Sequence, residues 1–353
     1  MKDSPAVTVL MSVYNGERFV PEAIQSILQQ TWTDFEFLII NDGSTDRTRE
    51  IISSFHDPRL RILDQPTNTG LTRSLNLGLK AARAPLVARQ DADDRSHPER
   101  LRMQVEFMHA NPQVALLGTQ VRILNKRGRL SHRPGWQRAV NDTAIRFQSL
   151  FDNPFIHTSV MFRRDIVLDE LGGFAETFPT AQDFELWSRI SARHQVCNLP
   201  ARLIDYRFHG SSTSAGYDDR HLERSSLIVA GNLRRYLGLH EVPERWLQLI
   251  STLHVNPNGV SNDELRELLN VIEAIYEQFV DRYPHEQQNE EVRRVLAAKI
   301  SQIACLMATR KRASALSTFR RGCRVHARVG QSFAFKFFAL LLLGQRLRSQ
   351  LSR

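Results

Sequence analysis

The run Arg89-Gln-Asp-Ala-Asp-Asp94 directly follows an apolar segment of strand length. Carboxylates at i and i+2 beyond a strand end, here Asp91 and Asp93, can reach one hard cation if the backbone curves there. Mg²⁺ or Mn²⁺ takes one or two protein carboxylates and fills its shell with phosphate oxygens. The same acids also suit the first turn of a helix, where the dipole favours them. Alone, the run leaves both readings open. Other chemistry-bearing clusters are Tyr14-Asn15, Asn41-Asp42, and two histidines that end or open strand-like segments, His157 and His209.

These clusters need a scaffold, and the first half of the chain alternates strand and helix signals. Strands are expected at 7–13, 35–40, 60–63 and 85–90, with helices at 19–30, from Ser44 or Thr45 to about 55, and at 70–82. Ser96-His-Pro-Glu99 reads as a capping box opening a helix to about Ala110. Strands joined by such helices imply right-handed crossovers and a mostly parallel sheet. In open sheets of this kind, ligands bind at the carboxyl ends of the strands, where Tyr14-Asn15, Asn41-Asp42 and Asp91–Asp94 all fall. Further strands are expected at 114–124, 157–163 and 203–208, and a helix at 181–193. From about Leu222 the signals are helical only, with segments near 222–237, 262–281, 290–309 and 312–328. The expected division is 1–218 for the sheet domain and 219–353 for a helical region, with the break near Gly216–Arg220.

Taken in order, Ser12-Val-Tyr-Asn-Gly16, Asp42-Gly-Ser-Thr-Asp46, Asn68-Thr-Gly-Leu-Thr-Arg-Ser-Leu-Asn76 and Asp91-Ala-Asp-Asp94 resemble glycosyltransferase family 2, over roughly residues 6–215. The likeness continues in Asn153-Pro-Phe-Ile-His157, Gly172-Gly-Phe174, Gln182-Asp183 before Trp187, and Tyr206-Arg-Phe-His209. It implies an α/β protein with the Rossmann-like, A-type nucleotide-sugar fold. It also implies an inverting, metal-dependent transferase that moves a sugar from a nucleotide diphosphate donor to an acceptor hydroxyl. The resemblance puts Tyr14 against the donor's base, Asp42 in a hydrogen bond to it, Asp91 near the ribose hydroxyls and Asp93 on the metal, with Asp94 behind them. Asn15 belongs to the same donor-binding loop. An aromatic face stacks a base and a carboxylate accepts from its imino N–H, so these choices are chemically sound. Arg73, one turn into its helix, can reach base or phosphate.

Asp183 is the candidate base. Inverting transfer needs one group to take the acceptor hydroxyl's proton, and a carboxylate at a helix N-terminus stays ionised for that role. The family most often has Glu-Asp where this chain has Gln182-Asp183, so an acceptor contact by the first residue changes character. Glu185 is the alternative base, on a different face of the same helix. His209 matches a position that can supply a third metal or phosphate contact, and His157 is a weaker candidate near the acceptor. Trp187 reads as core and Phe174 as a wall of the acceptor site.

Composition narrows the remaining choices. The 353 residues include 42% apolar ones, as in an ordinary globular protein. Three cysteines without a CxxC spacing suit a reducing compartment. No signal peptide is evident and no stretch reaches the ~18 apolar residues of a spanning helix, so the expected location is cytoplasmic. The net charge of +9 is unevenly spread: residues 293–353 hold 14 Lys and Arg with no Asp or Glu, leaving 33 basic against 38 acidic residues before them. The basic tail brackets Ser332–Leu343, an apolar run fit to lie in a bilayer interface. Residues 310–353 are therefore expected to hold the protein peripherally on the inner face of the membrane, near a glycan or lipid-linked acceptor. The alternative is a core-packing helix with a solvated basic face. Two rival functions are weaker. A sugar nucleotidyltransferase needs a Gly-rich loop with Lys after the first strand, and Tyr14-Asn-Gly-Glu-Arg18 has one glycine and no Lys. A nucleic-acid-binding protein would place its charge among stacking aromatics rather than beside a Phe/Leu run; no nucleic-acid partner is expected.

Overall fold

The computed structural model describes residues 4–125, 128–131, 137–207, 219–253, 260–286, 289–308, 312–326 and 337. They form two compact units, the first of residues 1–142 and 153–216, the second of 143–152 and 217–353.

The first unit is built on an eight-stranded, mostly parallel sheet in the order β3-β2-β1-β4-β7-β6-β8-β5. Its strands are β1 (Val7–Val13), β2 (Phe35–Asn41), β3 (Leu60–Asp64), β4 (Leu86–Asp91), β5 (Arg95–Ser96), β6 (Val114–Leu124), β7 (Met161–Arg163) and β8 (Gln195–Arg207). Helices α1 (Val20–Leu28), α2 (Thr48–Ser53), α3 (Leu71–Ala81), α4 (Arg100–Ala110) and α6 (Gln182–Arg193) cover it; α5 (Asp142–Gln148) begins the inserted piece of the second unit. The continuous apolar runs of β1 and β2 follow from burial on both faces. Val7, Val9, Met11, Phe37 and Ile39 are fully buried against Ile24, Ile27, Leu101 and Val105.

Strand register positions the site. β1 pairs in parallel with β2 and β4, with Ser12 opposite both Ile40 and Asp91. Tyr14, Asp42 and Asp91 therefore emerge within two residues of one another's level, at one edge. β7 and β5 are antiparallel to their neighbours.

Three local expectations change. Ser96 caps no helix: it lies in β5, buried, donating to Gln90 Oε1 at 2.7 Å and accepting from Arg100 at 2.9 Å. Glu99 instead pairs with Arg102, and α4 starts at Arg100. Residues 157–159 form a 3₁₀ turn rather than the start of a strand. The helix after β2 starts at Thr48, not at Ser44 or Thr45, because Ser44 and Thr45 bind Asn15 while Asp46 accepts from the Thr48 N–H at 2.9 Å.

The second unit is helical: α5 with α7 (Asp219–Leu237), α8 (Glu244–Ser251), α9 (Asn262–Arg282), α10 (Glu290–Ala308) and α11 (Arg312–Val325). Helix α9 opens with a capping box between Ser261 and Glu264. Phe147 of α5 packs on Phe279 and Tyr276, with ring centroids at 5.0 and 5.9 Å. Buried Lys299 ion-pairs with Asp152. Of the apolar run 332–343 only Phe337 is described; it is buried and stacked on Phe319 of α11, 4.1 Å between centroids. That residue packs as a core helix would. No helix among the described residues is long and apolar enough to cross a membrane.

Candidate active site

The loop after β1 is stapled to the loop after β2. Asn15 adopts a left-handed backbone (φ 50°). Its Oδ1 accepts from the Thr45 N–H at 2.9 Å while its own N–H donates to Ser44 Oγ at 3.1 Å. Asn15 thus shapes the edge on which Tyr14 stands, and Tyr14 presents a ring that is 49% exposed. Gly43 is required beside it: at φ 68°, a Cβ would fall 2.4 Å from the Thr67 backbone. Asp42 is buried with both carboxylate oxygens engaged. Oδ1 accepts from Gln65 and from the Thr69 N–H, each at 2.8 Å, and Oδ2 from the Gly70 N–H at 3.0 Å. Asp42 therefore holds the turn that opens α3. Arg73, exposed on α3, reaches Glu176 at 3.1 Å.

The acidic loop is built around buried arginines. Arg89, fully buried on β4, donates to Asp91 Oδ1 at 2.7 Å, to His157 Nε2 at 3.0 Å and to the Leu10 carbonyl. A cation so placed needs partners. Burial lowers its pKa, and the charges of Asp91 and Asp183 counter that. His157, as acceptor from Arg89, keeps Nε2 unprotonated; burial first, and then Arg89, push its pKa down. Arg100, also fully buried, donates to the Arg89 carbonyl at 2.7 Å, and burial pulls its pKa down to about 9. Arg207, at the end of β8, donates from Nε to the Asp93 carbonyl at 2.8 Å and from its backbone N–H to Asp94 Oδ1 at 2.7 Å. Asp94 is buried, and its pKa is raised well above the usual value by that burial and by Asp93 and Asp91. It is an internal support of the loop. Asp91 and Asp93 keep partial exposure.

Asp183 sits in the first turn of α6, after Ala181 in a left-handed conformation (φ 57°) and the buried Gln182. Its Oδ2 accepts from Asn153 Nδ2 at 2.9 Å, and its Oδ1 from the Phe184 N–H at 2.8 Å. The amide of Asn153 is oriented because its own Oδ1 accepts from the Phe155 N–H at 3.1 Å. Glu185 is committed elsewhere: Arg189 grips it at 2.6 and 2.8 Å and clamps the Leu171 and Gly173 carbonyls. Of the two acids, Asp183 alone is held by a neutral donor. Phe174 is 2% exposed and packs on Trp187 and His157, so it is core rather than an acceptor wall. Trp187 is core as expected.

The structure therefore brings together Asp91, Asp183, His157 and Arg89, with Asp93 and Tyr14 on the same edge. His209 lies outside the described residues. Among the described residues no three His, Cys, Asp or Glu side chains form a metal-holding group. Asp91 and Asp93 nonetheless supply the hard oxygen donors that Mg²⁺ or Mn²⁺ takes when phosphates complete the shell. Sequence reasoning missed Asn153, Arg100 and Arg207 as site-building residues. Asn153 and Arg207 lay inside the motifs quoted above, but nothing in their spacing revealed their partners.

The site is thus an open α/β sheet with its acidic and aromatic loops at one strand edge. A crystal structure of S. aureus TarS 1–349 with UDP-GlcNAc has the same fold, with a TM-score of 0.54 at 16% identity over 94% of this chain and 90% of that one. Residues 8–172 match Glycosyl transferase family 2. The chain is 30% identical to the O-antigen biosynthesis glycosyltransferase WbnJ of Escherichia coli, over 59% of this chain and 81% of that protein. It is 32% identical to the amylovoran biosynthesis glycosyltransferase AmsE of Erwinia amylovora, over 57% and 75%. The chain belongs to glycosyltransferase family 2.

Proposed function

We propose that the protein transfers a sugar, with inversion, from a nucleotide diphosphate donor to an acceptor hydroxyl, with Asp183 as the base. The observation that carries this reading is the hold on Asp183, whose carboxylate is pinned by neutral Asn153 at 2.9 Å while Arg89 is bonded to Asp91 at 2.7 Å. The charges of Asp91 and Asp183 both act on that one buried cation. Tyr14 would stack the base, and Asp42 and Arg73 would complete the nucleotide side. Asp93, with Asp91, would hold Mn²⁺ or Mg²⁺. The ion, when bound, supplies positive charge against the departing diphosphate. Asp183, pinned by Asn153, takes the hydroxyl proton as the acceptor oxygen attacks in line.

The names of the two relatives support an acceptor in cell-surface polysaccharide, lipopolysaccharide or glycolipid synthesis, either a glycan or a lipid-linked sugar. The basic tail supports work at an anionic membrane surface, on its cytoplasmic face. A panel of nucleotide sugars, screened for Mn²⁺-dependent thermal stabilisation, tests the donor side. The matching donor should raise Tm in wild type and lose that effect in Asp93→Ala. Stabilisation that persists in chelator would refute the metal's role.

A further inference from the structure

The second unit carries a feature that sugar transfer does not use. Helices α9, α10 and α11 line an open cavity of about 570 Å³ with Tyr276, Arg293, Leu296, Arg321, Arg324 and Val325. A second cavity of about 380 Å³ shares Arg321 and Arg324 and adds Arg266 beside Leu269 and Met307. Four arginines and, among the described residues, no carboxylate line the two.

All four arginines are exposed, and three of them have a partner. Arg293 gives one N–H to the Val325 carbonyl at 2.9 Å. Arg321 gives one to Glu273 at 2.6 Å while remaining 52% exposed. Arg266 reaches Asp263 at 3.1 Å, in a pair whose acid is 91% exposed, and such surface pairs hold little. Arg324 is exposed and has no ion-pair or hydrogen-bond partner among the described residues. A guanidinium has five N–H donors in a fork that fits a phosphate, so this groove has many donors to give.

The lining says which phosphate compound fits. The floor is apolar, from Leu296, Leu269 and Met307, and the rim is cationic; a charged head on an apolar body matches that pattern. Helix α11 divides the same way. Ala315, Thr318 and Phe319 are buried, with Phe337 stacked on Phe319, whereas Arg320, Arg321 and Arg324 are exposed. We propose that this arginine groove binds the phosphate of a membrane lipid headgroup. Membrane contact then runs through the α11 arginines and their neighbours on α9 and α10, not through insertion of Phe337. The inference rests on the membrane-surface reading above and names the element that performs it.

The test uses the full chain with vesicles of phosphatidylcholine alone or mixed with phosphatidylglycerol, and with inorganic diphosphate as a soluble probe. Wild type should co-sediment with the anionic vesicles, release in high salt, and be displaced by diphosphate. Arg293→Gln/Arg324→Gln should bind anionic vesicles at least tenfold more weakly, with nucleotide-sugar stabilisation unchanged and at most a small drop in Tm from the lost Arg293–Val325 bond. Arg324→Gln alone removes no hydrogen bond or ion pair among the described residues, so its weaker binding should come without a drop in Tm. Unchanged vesicle binding by the double variant, or no binding by wild type, overturns the proposal. Stabilisation by diphosphate without vesicle binding overturns the lipid as source and leaves a site for a soluble phosphate ester. Loss of nucleotide-sugar stabilisation in wild type would count against the transferase reading and not against the groove.

Discussion

Replacing Asn153 by Asp turns one hydrogen-bond donor into a carboxylate while hardly changing shape. In the wild type the amide donates to Asp183 Oδ2 at 2.9 Å, and its oxygen is fixed by the Phe155 N–H. The new oxygen would lie about as close to Asp183 as the nitrogen did. Two unit charges at that separation repel by about 1.4 kcal/mol in bulk water and by about 6 kcal/mol at an effective dielectric of 20. Asp183 is half-buried, so the cost falls between these, and the pair relieves it by sharing a proton. A base that shares a proton is lost to the acceptor for much of the time. Turnover of Asn153→Asp at pH 7 should therefore fall by at least ~10-fold, since each ~1.4 kcal/mol is a factor of ten. Asn153→Ala removes the bond without adding charge and should fall less, with a Tm drop consistent with the loss of a charge-assisted bond worth about 1.5–3 kcal/mol. Donor affinity should hold in both, because Asn153 bonds Asp183 and the Phe155 N–H and none of the residues proposed to hold the donor. The assay is steady-state transfer at saturating donor, with donor binding measured separately by thermal shift. Wild-type turnover in Asn153→Asp would refute the positioning of Asp183.

Other expectations follow the same geometry. Asp93→Ala should remove both transfer and metal-dependent donor stabilisation while keeping the fold, as checked by circular dichroism and by transfer with excess Mn²⁺. His157 has its pKa below the usual 6.5, so the folded protein binds fewer protons than the unfolded chain; stability should fall as pH drops below about 6.5, by up to ~1.4 kcal/mol per unit. His157→Gln, which can still accept from Arg89, should flatten that slope in Tm measured from pH 8 to 5. Glu185→Gln should lower Tm by loosening the Arg189 clamp, yet retain most of the transfer rate.

Much of the sheet could be read from the chain because β1 and β2 are buried on both faces and so are mostly apolar, with buried Thr8 donating to Glu36 across them. Asp-Gly and Asn-Gly turns likewise marked the strand ends. The failures have a common cause in side-chain partners that the local pattern does not reveal. Ser96 and Glu99 carry a helix-start pattern, but Ser96 is taken by Gln90 and Arg100 across the loop. Arg89 stands in the acidic run with nothing to mark it as buried, yet the Leu10 carbonyl, Asp91 and His157 hold it in the interior. Asn15 and Asp42 were chosen for a ligand, and here they also spend their side chains on neighbouring loops. Helix α8 and the α5 insertion escaped notice because short amphipathic segments carry little periodicity. Arg189 bears on the choice between Asp183 and Glu185, because it takes Glu185 in an i,i+4 pair on α6.

The most direct measurement is the rate of sugar transfer by Asp183→Asn, at saturating metal and donor, beside Glu185→Gln. The substitution keeps the size of the side chain and removes only its capacity to take a proton. The account predicts a loss of about 10²–10⁴-fold, with donor-induced stabilisation unchanged and Glu185→Gln close to wild type. A nearly active Asp183→Asn beside an inactive Glu185→Gln would contradict it.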